Sequence, residues 1–254
     1  MKVLTIVNNK GGVGKTTTAQ NIAAGLSRFG NNRVLMIDLD SQASLTRSCG
    51  FKTDAVKNNS GSFIANEALF SDTVLKITDT LHLLPSSSNL AIKEDNIKSS
   101  ATFPFNLKIA LGKIQDQYDF VIVDCPPALS GLTRIAIVAC NSYFVPLQAE
   151  FLSYEGLRNL LDFAAEIKQI SPDISLGGVF ATRYNPNVKK KISNELIDSA
   201  RSQLGEIFMN TYIRDNVSLS EAQATGTDIF SYNQDSNGAQ DYYSLTKEII
   251  SKFQ

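Results

Sequence analysis

Short apolar runs alternate along this chain with longer amphipathic stretches. A strand of a buried parallel sheet reads as a continuous apolar run, because both of its faces are covered. On that basis strands are expected at 2–8, 33–38, 81–84, 119–124, 142–147, 175–181 and 207–212. Apolar positions recurring at helical spacing predict helices at 15–29, 61–70, 88–97, 105–117, 131–140, 153–169, 189–204, 217–224 and 239–253. Gly30-Asn31-Asn32 reads as a helix stop, and residues 52–62 and 231–238 read as polar loops. Alternation of this kind predicts an α/β fold: a mostly parallel twisted sheet of about seven strands with helices on both faces. No repeat or linker interrupts the pattern, so residues 1–254 are expected to form one domain.

The first apolar run, Val3-Leu4-Thr5-Ile6-Val7, leads into Lys10-Gly11-Gly12-Val13-Gly14-Lys15-Thr16-Thr17 and then into a helical pattern. A glycine-rich turn between strand and helix offers consecutive backbone N–H groups to a polyphosphate. Gly11, Gly12, Val13, Gly14 and Thr17 are therefore read as a phosphate cradle. Lys15 supplies charge for the β- and γ-phosphates, and Thr16 supplies a hydroxyl for Mg²⁺. The ordinary pattern G-x-x-x-x-G-K-[ST] would have glycine at position 9, where this chain has Asn9, and it does not need the additional Lys10. Two further apolar runs end in acids: Val34-Leu35-Met36-Ile37-Asp38-Leu39-Asp40 and Phe120-Val121-Ile122-Val123-Asp124. Ligands of open parallel sheets bind beyond the carboxyl ends of the strands, so Asp38, Asp40 and Asp124 are expected near the phosphates. One such acid would be equally well explained as a helix cap. Three beside a phosphate loop favour catalysis.

The Lys-Gly-Gly-x-Gly-Lys-Thr-Thr sequence at 10–17 resembles the deviant phosphate loop of the ParA/MinD family of P-loop ATPases. The resemblance extends over nearly the whole chain. Ser41–Thr46 is similar to the family's first switch, and Pro126-Pro127 to the start of its second. Val145–Glu150, Glu155-Gly156, Asn216–Ala222, Gly238-Ala239 and Tyr242-Tyr243 resemble the ParA (Soj-like) branch. The resemblance implies that Lys10 crosses a dimer interface to the partner's phosphates. It implies that Asp124 holds Mg²⁺ with Thr16, that Asp38 supports the metal shell, and that Asp40 orients the attacking water. Lys10, Lys15 and Asp40 are the implied catalytic residues. Glu150, Arg183 and Arg214 are candidate contacts to base or partner subunit. The implied cofactors are ATP and Mg²⁺. The implied partners are a second copy of the chain, non-specific DNA, and a ParB-like centromere-binding protein that stimulates slow hydrolysis.

Composition adjusts this picture. Apolar residues make up 43% of the chain, ample for a buried sheet. The net charge is −1, so any DNA contact must come from a local patch. Lys189-Lys190-Lys191 is the candidate, with Arg201, Lys247 and Lys252 as additions. Two arginines of the resembling family are replaced, by Asn187 and Ser218, and its Pro-Arg pair by Arg214-Asp215. The cysteines Cys49, Cys125 and Cys140 have no metal-ligand spacing and read as buried hydrophobes, as expected in a reducing cytoplasm, and the resemblance implies association with the nucleoid. No run approaches the roughly 20 apolar residues of a membrane span, and no stable membrane association is expected. Two alternatives stay open: a MinD-like membrane-surface positioning ATPase, and a DNA-tracking ATPase that carries a protein cargo.

Overall fold

The computed structural model describes residues 1–150, 152–187 and 191–253. Among them, one sheet contains β1 (Lys2–Ile6), β2 (Val34–Asp38), β3 (Leu75–Lys76), β4 (Leu81–Leu84), β5 (Phe120–Asp124), β6 (Ser142–Gln148) and β7 (Ser175–Thr182). The order is β3-β4-β2-β5-β1-β6-β7, and every neighbouring pair is parallel except β3–β4. The helices are α1 (Lys15–Gly30), α2 (Ser44–Ser48), α3 (Ser60–Ile64), α4 (Leu90–Lys98), α5 (Asn106–Gly112) and α6 (Gly131–Ala139). They continue with α7 (Leu152–Lys168), α8 (Lys191–Leu204), α9 (Val217–Ala224), α10 (Ile229–Tyr232) and α11 (Asn237–Ser251). This is the expected α/β fold, a mostly parallel seven-stranded sheet with helices on both faces.

Successive strand residues point to opposite faces, and both faces are covered here. Val3, Leu35, Ile37, Val121 and Val123 pack into a layer with α3 to α8. Leu4, Ile6, Met36, Ile122 and Phe144 pack against α1, α2 and α9 to α11. This two-sided burial is why β1, β2 and β5 read as unbroken apolar runs. Gly25 lets α1 and α11 approach: a Cβ there would lie 2.6 Å from Thr246 Oγ1.

The seventh strand is not the one expected from the sequence. Residues 207–212 form no strand; a 3₁₀ turn covers Gly205–Ile207, and the extended stretch after it touches β7 only through isolated bridges at Phe208 and Ile213. Met209 N–H and Ile213 N–H bond Val179 O and Ala181 O, both at 2.8 Å. Between them Glu248 of α11 takes the N–H groups of Asn210 and Thr211 at 2.8 and 2.9 Å, which breaks the ladder. The strand that completes the sheet is the two-residue β3, too short to leave a period in the sequence. The helix expected at 61–70 ends at Ile64, because Asn66 turns left-handed at φ 60°. The helix expected at 105–117 ends at Gly112. The short α2 and α10 had no sequence expectation. The helix stop at Gly30-Asn31-Asn32 is present: Asn31 sits at φ 49° with its N–H on Leu26 O.

Candidate functional site

β1 lies between β5 and β6, and its carboxyl end opens into the Lys10–Thr17 turn. Two side chains hold that turn by its carbonyl groups. Gln148 Nε2 donates to Gly12 O at 3.3 Å, and Thr182 Oγ1 donates to Val13 O at 2.9 Å. With carbonyls anchored on the protein side, the amide groups are left for a ligand. Gly12 and Gly14 take φ 76° and 90°, and a Cβ at Gly11 or Gly12 would meet nothing within 4 Å. Such an open left-handed glycine turn ahead of a helix N-terminus is an anion cradle. The Lys15 side chain folds back beneath the turn, its Nζ bonded to Lys10 O at 2.9 Å. Burial lowers the Lys15 pKa, while the charges of Asp124, Cys125 and Asp40 oppose that shift.

The acids converge from neighbouring strands. The β2–β5 register pairs Asp38 with Asp124, both fully buried. Thr16 Oγ1 donates to Asp124 Oδ2 at 2.7 Å, while Asp124 Oδ1 is buried with no partner. Burial first, and the neighbouring Asp38 second, push the Asp124 carboxyl well above the usual carboxylate range. A buried carboxylate with an orphaned oxygen, beside a threonine hydroxyl and a second acid, fits a divalent cation. Asp38 is differently employed. Its Oδ2 accepts from Thr46 N–H and Thr46 Oγ1, both at 2.8 Å, and its Oδ1 accepts from Asp40 N–H at 3.1 Å. Burial raises its pKa to about 6, against those hydrogen bonds. Asp40 is partly exposed and faces the cavity beside the loop, with Oδ1 accepting from Gln42 N–H at 2.9 Å.

That cavity encloses about 560 Å³. Its walls are the phosphate loop, Asp40 and α2 on one side, and Arg183, Ile213–Asn216 and α9 on the other. The chain matches the family model described as an AAA domain over residues 1–176. It is 34% identical over 254 residues to the chromosome-partitioning ATPase Soj of Treponema pallidum, covering 99% of this chain and 98% of that protein. It is 33% identical over 250 residues to the sporulation initiation inhibitor protein Soj of Bacillus subtilis, covering 98% of each. The chain belongs to the Soj/ParA family of ATPases. Among solved structures, cobyrinic acid a,c-diamide synthase of Mycobacterium smegmatis with bound ADP and magnesium is 29% identical, with a TM-score of 0.86. The alignment covers 100% of this chain and 95% of that one.

In this ParA-family ATPase Lys15, Thr16 and Asp40 line one cavity, and Asp124 lies buried behind Thr16, bonded to its hydroxyl. Lys10 stands apart from them. Its backbone carbonyl touches Lys15, but its ammonium pairs with Glu150 beyond the end of β6 and does not line the cavity. Arg183 lines the cavity in a left-handed conformation, φ 51°, uncommon for a residue with a Cβ. Arg214 also lines the cavity, and its guanidinium forms a bidentate pair with Asp241 of α11. Lys189 and Lys190 lie outside the described residues, and Lys191 opens α8.

Several supports of the site take their role only from the fold. Asn9, the departure from the ordinary loop, packs on α7: a Cβ at Gly156 would come 2.5 Å from Asn9 Oδ1. Thr182 and Asp241 were not singled out, because an isolated threonine or aspartate carries no signal until the chain is folded. Among the described residues no helix is long and apolar enough to cross a membrane.

Proposed function

We propose that this chain is a DNA-partition ATPase whose Mg²⁺-ATP-bound form is a two-subunit sandwich. Lys15 and the backbone from Gly11 to Thr17 hold the phosphates. Thr16 and Asp124 hold Mg²⁺, which when bound offsets phosphate charge. Asp38 supports this group by fixing Thr46 and Asp40 rather than as a direct ligand. Asp40 orients the attacking water from the cavity wall. ATP closes the dimer, the dimer binds DNA without sequence preference, and hydrolysis, stimulated by a ParB-like protein, releases it.

The observation that carries this reading is the placement of Lys10. Its ammonium pairs with Glu150 outside its own cavity, so on exchanging that partner it could serve phosphates presented by a second subunit. A trans lysine makes nucleotide part of the interface, so that ATP gates assembly. The membrane-surface alternative needs a free amphipathic helix. Here α11 already buries Tyr242, Leu245 and Ile249 against the sheet layer.

The test is anisotropy on random-sequence duplex DNA with no nucleotide, with ADP and with ATP, each with Mg²⁺ and across a salt series. Binding that requires ATP and falls steeply with salt is expected. An ATP dimer that ignores DNA in every condition would remove DNA as the track.

A further inference from the structure

The cavity wall at Ile213–Asn216 belongs to no strand or helix, yet it is held at several points. Ile213 N–H bonds Ala181 O at 2.8 Å, and Tyr184 N–H bonds Ile213 O at 3.1 Å. Beyond Ile213 the chain leaves the sheet until Asn216 caps α9. Across that gap Arg214 is fastened to α11. Its backbone N–H reaches Asp241 Oδ2 at 2.8 Å, its Nε reaches both carboxylate oxygens at 3.0 Å, and its Nη2 reaches Oδ1 at 2.7 Å. Nη2 also lies 3.4 Å from Asn237 O. The Asp241 side chain is only 10% exposed, so this is not a surface ion pair held loosely in water.

The next residue of α11 lines the same cavity. Tyr242 is buried, lines the cavity, and its hydroxyl lies 3.1 Å from Thr18 Oγ1 in the first turn of α1. Adjacent residues of α11 thus hold the 213–216 wall and the helix that begins at the phosphate loop. A bidentate, charge-assisted pair restrains direction as well as distance. Removing one member strands the other charge in a partly dry setting, and the segment carrying it moves.

We propose that Asp241 is a positioning residue for the nucleoside end of the ligand: through Arg214 it sets the Ile213–Asn216 wall, so nucleotide affinity depends on the docking of α11. This rests on the reading of the cavity as an ATP site. The phosphate loop is built without Arg214 or Asp241, so a ligand with phosphates and no nucleoside should be indifferent to the pair.

The experiment is calorimetric titration of wild type, Asp241→Ala and Arg214→Ala/Asp241→Ala with Mg²⁺-ATP and with Mg²⁺-tripolyphosphate, with melting curves alongside. Asp241→Ala is expected to weaken ATP by about tenfold, the scale of one charge-assisted hydrogen bond, and to leave tripolyphosphate within about twofold. The double variant should bind ATP no more weakly than Asp241→Ala alone, since both act through one pair. Asp241→Asn serves if the alanine variant does not fold: it keeps an acceptor for the Arg214 N–H and should give a smaller loss in the same ligand-selective direction. Unchanged ATP affinity overturns the proposal, as does an equal loss for both ligands, which marks general destabilisation. Wild type that binds neither ligand overturns the ATP reading itself, and the positioning role with it.

Discussion

Lys15 reaches the phosphate turn from beneath and is the only lysine whose ammonium is bonded to the turn's backbone among the described residues. Lys15→Ala should therefore abolish ATP binding in a calorimetric titration, with little change in secondary structure by circular dichroism. Asp124 poses the opposite balance between stability and function. Its folded pKa is raised, so its ionisation opposes folding, and the stability present at low pH is lost as pH rises through the folded value. Asp38, raised to about 6, adds the same sign. In Mg²⁺-free solution Asp124→Asn should raise stability by on the order of 1 kcal/mol, because it removes the cost of burying an ionisable carboxyl and keeps an acceptor for Thr16. The gap over wild type should widen from pH 5 to pH 8 in thermal melts. The same variant should lose the Mg²⁺ dependence of nucleotide binding.

The elements that shape the cavity are joined by close backbone approaches. The chain after α2 and the chain after α9 meet where Gly226 faces Gly50, and a Cβ at Gly226 would lie 2.6 Å from Gly50 Cα. Gly226 is also left-handed, at φ 75°. Gln20 of α1 bridges the two segments, its Nε2 bonded to Ser48 O at 2.7 Å and Thr227 O at 3.1 Å. Both α2 and α9 line the cavity, so Gly226→Ala should cost about 2 kcal/mol or more in urea unfolding and weaken ATP together with tripolyphosphate. The elements most legible in the sequence were those with long periods. The helices α1, α6, α7, α9 and α11 lie within about two residues of expectation, the ordinary uncertainty of a helix end. Residues 207–212 had the apolar content of a strand, but Glu248 diverts two of their N–H groups, and a carboxylate from a helix some forty residues on leaves no local trace.

For the whole molecule, the reading turns on what Lys10 does when two subunits meet. Lys10→Ala should still bind ATP but remain monomeric with ATP in light scattering; an intact ATP dimer would remove the trans role. Asp40→Ala should accumulate the ATP dimer with hydrolysis suppressed, and wild-type phosphate release from it would reject Asp40 as the water-orienting group. The sequence by itself determined the layered α/β class, the phosphate loop and the acids at the ends of β2 and β5. Each is a contiguous pattern: a run buried on both faces, a glycine turn, an acid at a strand end. Only the tertiary structure decided how those parts are employed. The β2–β5 register sets Asp38 beside Asp124, yet hydrogen bonds commit Asp38 to Thr46 and leave Asp124 with a free oxygen. Folding also pairs Arg214 with Asp241 and turns Lys10 toward Glu150. Those partners are remote in the chain, and the choice among them depends on which charges lose water together, a quantity that no local pattern of residues contains.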